Sequence, residues 1–225
     1  MNEGNRSFRR DLANVLARTA DLDLESGQPK AAQTGYTRSL AEFQRLQNDD
    51  PKDEELQTRQ IEVSYNLGTA ALAAGDLAGA DRIFGKLRDH WEARLKPPQD
   101  EDAKFNLTLC LARLGDYQHA APLAEEVRKY APADGLNLVK VSCCYALCAA
   151  AVKRGKSASQ LSVAERDLRK RYEIKALETL RQAIDHGYQD WVFLEGQPDL
   201  APIHALPEFK TLMDQLRAKQ KAAAK

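Results

Sequence analysis

Four cysteines, four histidines and a run of carboxylates are the residues of this chain with reactive chemistry to offer, and their spacing decides which chemistry is open to them. Cys110, Cys143, Cys144 and Cys148 all fall in apolar helical stretches, with no CxxC pair and no histidine at ligand spacing, so they read as structural thiols and not as a metal set. Cys144 and Cys148 stand one helical turn apart, a poor geometry for a bridge. His90, His119, His186 and His204 are dispersed, and no His/Asp/Ser or His/Cys pair falls on a shared face at the close spacing that acid–base or nucleophilic catalysis needs. Asp53-Glu54-Glu55 fits a helix first turn, where the macrodipole accounts for the charge. Neither a metal, nor a cofactor, nor a catalytic set is expected.

Recognition chemistry is better represented. Tyr65, Phe105 and Tyr145 each lie ten residues before a glycine (Gly75, Gly115, Gly155), so three rings recur every 40 residues on one helical face. Such a row can take apolar side chains of a peptide or lie along an extended backbone. Two readings stand side by side: contact with a ligand, or packing between neighbouring helices.

The elements that position these rings follow from the glycines. Gly75, Gly115 and Gly155 are 40 residues apart, and Gly27 lies 48 before Gly75. Each closes an Ala/Leu-rich stretch where a left-handed residue would end a helix, which predicts four antiparallel helix pairs. Around Gly75 the pair carries Leu67, Gly68, Ala80 and Phe84; around Gly115 it carries Leu107, Thr108, Ala120, Ala124 and a closing Pro132; the first pair has Thr19, Ala20, Ala32 and Tyr36 at the same offsets. A small residue before the turn and an alanine after it let two helices approach closely, while the aromatic fills the gap. Asp50-Pro51 reads as an N-cap with an N1 proline, and Asp134 as the cap of the seventh helix. The fourth pair carries an insertion, GKSASQLSVAERDLRKRYEI, that lengthens its second helix at the N-terminal end. Beyond Gly187 a tail with Pro198 and Pro207 in first-turn positions reads as a cap whose last residues, AKQKAAAK, fray, and Trp91 on a lengthened second helix and Trp191 at the start of the tail helix read as core or cap anchors.

These residues resemble the tetratricopeptide repeat superfamily over about residues 10 to 155. Residues 140 to 215, with CCYALCAA, ALETLRQAIDHGYQD and PDLAPIHALPEF, resemble the C-terminal repeat regions of some bacterial serine/threonine protein kinases, although no glycine-rich phosphate loop, HRD or DFG element is present. The resemblance implies an all-α, right-handed superhelix of about four antiparallel helix pairs over residues 1–187, with a C-terminal helical cap over 188–225. It also implies a concave groove lined by first helices, with Tyr65, Asn66, Thr69, Phe105, Asn106, Leu109, Tyr145 and Ala149 as the peptide-binding positions. Asparagines such as Asn66 and Asn106 bind a backbone or C-terminal carboxylate in the repeat domains that hold chaperone tails. Here Glu62 and Asp102 stand where that clamp needs basic side chains, which disfavours a carboxylate-terminated partner. Arg18, Arg113 and Lys153 remain as anion contacts or, more simply, solvated helix surface.

Charge and hydropathy narrow the partner class. Lys plus Arg and Asp plus Glu are 33 each, so no long-range field favours nucleic acid or an anionic membrane. The chain is 43% hydrophobic and 29% charged, which suits a folded core. No window reaches roughly 18 consecutive apolar residues, so membrane insertion is not expected, and reduced cysteines point to the cytoplasm. The expected partner is a protein or peptide. The alternatives are a spacer or oligomerisation segment contacting itself or a fused catalytic domain and, least favoured, an enzyme acting on a small molecule in the groove; a start inside a repeat helix fits a piece of a longer protein.

Overall fold

The structure, a computed structural model, describes residues 3–95, 100–130 and 134–223. Its regular elements among those residues are all helices, and it divides into two compact units, Met1–Asp89 and His90–Lys225.

The first unit holds α1 (Glu3–Glu25), α2 (Pro29–Asp49), α3 (Glu54–Ala73) and most of α4 (Leu77–Arg94), and the boundary falls inside α4. Small residues set the helix separations. A Cβ on Gly35 would stand 2.8 Å from the Ala20 Cβ, and one on Gly68 would stand 2.7 Å from the Phe84 ring. Ala20, Ala32, Tyr36, Ala80 and Phe84 are essentially fully buried, as the offsets from the turn glycines predict. The Ser39 hydroxyl donates to the Ala13 carbonyl at 2.8 Å, a buried polar tie between α1 and α2.

The second unit contains α5 (Glu101–Leu114), α6 (Tyr117–Tyr130), α7 (Gly135–Lys153), a single 3-10 turn at Ala158–Gln160, and α8 (Val163–Asp185). The tail adds α9 (Trp191–Gly196), α10 (Ala201–His204) and α11 (Pro207–Ala223). Apolar residues run all round α7, which is enclosed by α5, α6, α8 and α10. α7 is long and apolar enough to cross a membrane, although it has no unbroken apolar run of that length, and 72% of its most apolar stretch is buried among its neighbours. The Ser142 hydroxyl donates to the Ala176 carbonyl at 2.8 Å, the α7–α8 counterpart of the tie in the first unit. Cys148 lies seven residues before Gly155, as Gly68 does before Gly75, and is fully buried in that small-residue position.

All five turn glycines, Gly27, Gly75, Gly115, Gly155 and Gly187, have positive φ. Gly75 and Gly115 show why. In each turn the glycine N–H donates back to Leu72 or Ala112, and the following aspartate N–H reaches Ala71 or Leu111, the paired bonds of a left-handed helix stop. The same aspartate then opens the next helix: Asp76 Oδ1 accepts from the Gly79 N–H at 2.9 Å, and Asp116 Oδ1 from the His119 N–H at 3.3 Å. One Gly-Asp step ends a helix and starts its partner.

Several helix-end expectations are corrected. The N-cap of α3 is Asp53, not Asp50: its Oδ1 accepts from the Leu56 N–H at 3.1 Å, while Asp50 closes α2. Arg6 and Arg10 of α1 both reach Asp53 Oδ2 at 3.0 Å and hold that carboxylate at the helix start. Asp134 caps α7 and Ser162 caps α8, whose 23 residues fit the predicted lengthening. Pro207 opens α11, but Pro198 lies in the turn between α9 and α10. The chain end is tied down as far as Gln220, whose side chain accepts from the Trp191 indole at 2.8 Å and donates to the Gln189 carbonyl at 2.6 Å. Pro132 lies outside the described residues.

Candidate functional site

The predicted groove positions fall on α3, α5 and α7, and burial separates them into two sets. Tyr65, Asn66, Phe105 and Asn106 are half-buried, whereas Thr69, Leu109, Tyr145 and Ala149 are packed inside.

On α3 the Tyr65 ring meets the Phe84 ring edge-on, with centroids 5.4 Å apart, so one edge of the ring seals the α3–α4 contact. The Thr69 hydroxyl donates to the Tyr65 carbonyl at 3.1 Å, the usual fate of a helix threonine. Asn66 has an internal partner: its amide donates to Asp21 Oδ1 at 3.3 Å, and the Tyr36 hydroxyl donates to the same oxygen at 2.6 Å. Burial, then this hydrogen bond, push the Tyr36 phenol well above its ordinary pKa, so it stays a donor.

On α5 the Phe105 ring is half-covered by Lys140 from α7, whose Nζ lies 5.3 Å from the ring centroid and 3.9 Å from Asp102. Asn106 turns back on its own helix, donating to the Asp102 carbonyl at 2.8 Å. Phe105 therefore presents a ring edged by one cation and one carboxylate.

On α7 the third ring is closed off. Tyr145 is fully buried, with Lys175 of α8 lying 5.3 Å from its ring centroid. Its hydroxyl makes no hydrogen bond of ordinary geometry, although the Glu125 carboxylate of α6 lies beside it. Burial pushes Glu125 up, but the Lys175 and Tyr145 contacts outweigh it and hold the carboxyl below the usual range. Lys175 also hydrogen-bonds Glu125 directly. The long α8 that supplies Lys175 is why the ladder ends at Phe105.

The other chemistry-bearing groups are accounted for locally. All four thiols are buried and reduced. Burial pushes Cys110 and Cys148 up to about 12 and Cys143 and Cys144 well above the ordinary thiol value, so none offers a thiolate near neutrality. One His/Asp pair does share a face: exposed His119 lies 2.8 Å from Asp116 at the start of α6, where that aspartate already caps the helix. Among the described residues no group of three or more His, Cys, Asp or Glu is placed to hold a metal ion. Arg113 is not solvated surface. It pairs with Asp199 of the tail, both side chains being about nine-tenths buried. Arg18 and Lys153 are exposed.

The chain is an all-α protein of antiparallel helix pairs, an arrangement that agrees in general terms with tetratricopeptide-like repeats. No family model matches it. A comparison with curated proteins likewise gives no match. Among solved structures it is similar to one described as "MamA RS-1 ArsTM double mutant", at 19% identity and a TM-score of 0.35, over 94% of this chain and 98% of that one. The helix-pair arrangement is shown by the packing of consecutive helices within each unit.

Proposed function

We propose that this chain is a non-catalytic interaction module that recruits a protein or peptide through the exposed faces of its first helices. The observation that carries the reading is that the Tyr65 and Phe105 rings are only half-buried on their helices, whereas Tyr145, the third ring of the series, is fully enclosed. Rings held rigidly by neighbours, Phe84 for one and Lys140 for the other, lose little entropy on binding and suit apolar peptide side chains. Each ring forms a local contact surface on its own unit. Tyr145, Thr69, Leu109 and Ala149 support those helices from inside and do not touch the ligand.

In the same proposal the helix pairs over residues 1–187 and the cap over 188–225 work in the cytoplasm as the docking part of a larger signalling protein. Peptides selected by display on the wild-type chain test the reading. Their affinity for a Tyr65→Ser, Phe105→Ser variant of unchanged helicity should fall by about tenfold or more, the scale of losing a buried aromatic contact. Equal affinity for the two proteins would defeat it. A second reading, in which the chain contacts itself, is favoured by the outer face of α1.

A further inference from the structure

α1 carries apolar residues on two opposite sides. Ala13 and Ala20 are fully buried toward α2 and α3, and Ala17 and Leu24 pack around them. On the far side Phe8, Val15 and Leu22 are 66%, 60% and 62% exposed, three large side chains spaced seven residues apart. At about 100° per residue they fall within a strip of about 40°, roughly half a turn away from Ala13 and Ala20. Asp11 and Arg18, also exposed, fill the intervening positions, so the strip reads Phe8, Asp11, Val15, Arg18, Leu22 in the alternating three-and-four spacing of a helix seam.

We infer that this face docks antiparallel onto the same face of a second copy of the chain. The strip is self-complementary in that orientation alone. With a two-fold axis at Val15, that residue meets its own copy, Phe8 meets Leu22 on both sides, and Asp11 and Arg18 lie across from each other twice, offset by one residue or about 1.5 Å, within reach of the long arginine side chain. In a parallel pair Asp11 would face Asp11 and Arg18 would face Arg18, placing like charges at two levels. Such a contact is isologous and closes as a dimer instead of growing. The three apolar levels extend over about 21 Å of helix, a short contact that falls at or below the roughly 1,200 Å² low end of specific interfaces. The dimer should therefore dissociate on dilution. Its formation is independent of peptide capture, since neither Tyr65 nor Phe105 takes part.

Sedimentation velocity on the full chain over a wide concentration range tests the inference. The wild type should pass from monomer to dimer. Val15→Lys, which places two ammonium groups across the axis at an already exposed position, should remain monomeric with an unchanged circular dichroism melt. Asp11→Arg should also dissociate the dimer by setting arginine against arginine, and adding Arg18→Asp should restore it. A wild type that is monomeric throughout, a dimer that survives Val15→Lys, or a charge swap that fails to restore pairing would each overturn the proposal. Peptides selected on the wild type should bind the Val15→Lys monomer unchanged, which keeps this test separate from that of the recruiting surface.

Discussion

Asp21 accepts from both the Tyr36 hydroxyl and the Asn66 amide, so a residue that looked available to a ligand is committed to joining α1, α2 and α3. Arg113, expected as solvated surface or an anion contact, is likewise committed inside the protein, to Asp199. Nothing in its neighbourhood along the chain announces Asp199, which lies 86 positions away. Because both side chains are about nine-tenths buried, removing one leaves a charge stranded: Asp199→Ala should lower unfolding free energy by about 3 kcal/mol in urea titrations, and Arg113→Met with Asp199→Leu should recover much of it. The thiols make a second residue-level test. Being buried and held protonated, all four should react with a disulfide reagent only as fast as the protein opens, and the reaction should turn immediate in denaturant.

At the level of elements, the glycine spacing was readable because a left-handed helix stop is a local demand that glycine meets at no steric cost, and Gly27, Gly75, Gly115 and Gly155 all meet it. The cap of α3 was not readable, since local sequence favours Asp50-Pro51 while Arg6 and Arg10 from another helix hold Asp53 at the helix start. The burial of Tyr145 was hidden in the same way, because the lysine above it comes from α8, beyond the insertion. Gly68→Ala should cost about 1–3 kcal/mol in chemical denaturation, since its Cβ would meet the Phe84 ring and force α3 from α4. The tail offers a pH test. His204 rests against Phe209, its Nε2 buried without a hydrogen-bond partner, and burial lowers its pKa below the ordinary 6.5 despite opposing contacts with Leu194 and Glu195. A depressed histidine binds its proton more weakly folded than unfolded. Its contribution is therefore complete above about pH 6.5 and is lost as the pH falls toward the folded value. The urea midpoint should drop on acidification through that window, and His204→Gln should remove part of the drop.

For the molecule as a whole, helix pairs and their tight turns were legible in sequence, whereas the division at Asp89 and the closure of the third ring were not, because both depend on which distant side chains meet. Among the apolar residues outside the packed interior, which include Leu136, Val163 and Val192, are the two half-buried rings on first helices and the apolar strip on α1. These give the chain two separable ways of meeting other molecules, capture through Tyr65 and Phe105 and pairing through Val15. The capture surface is tested most directly by aromatic-ring NMR with a display-selected peptide added to the Val15→Lys monomer. The ring signals of Tyr65 or of Phe105, each on its own unit, should shift and saturate with peptide binding, while those of exposed Phe8 and Phe193 stay in place. Saturable shifts at Phe8 or Phe193, with Tyr65 and Phe105 unmoved, would contradict the account.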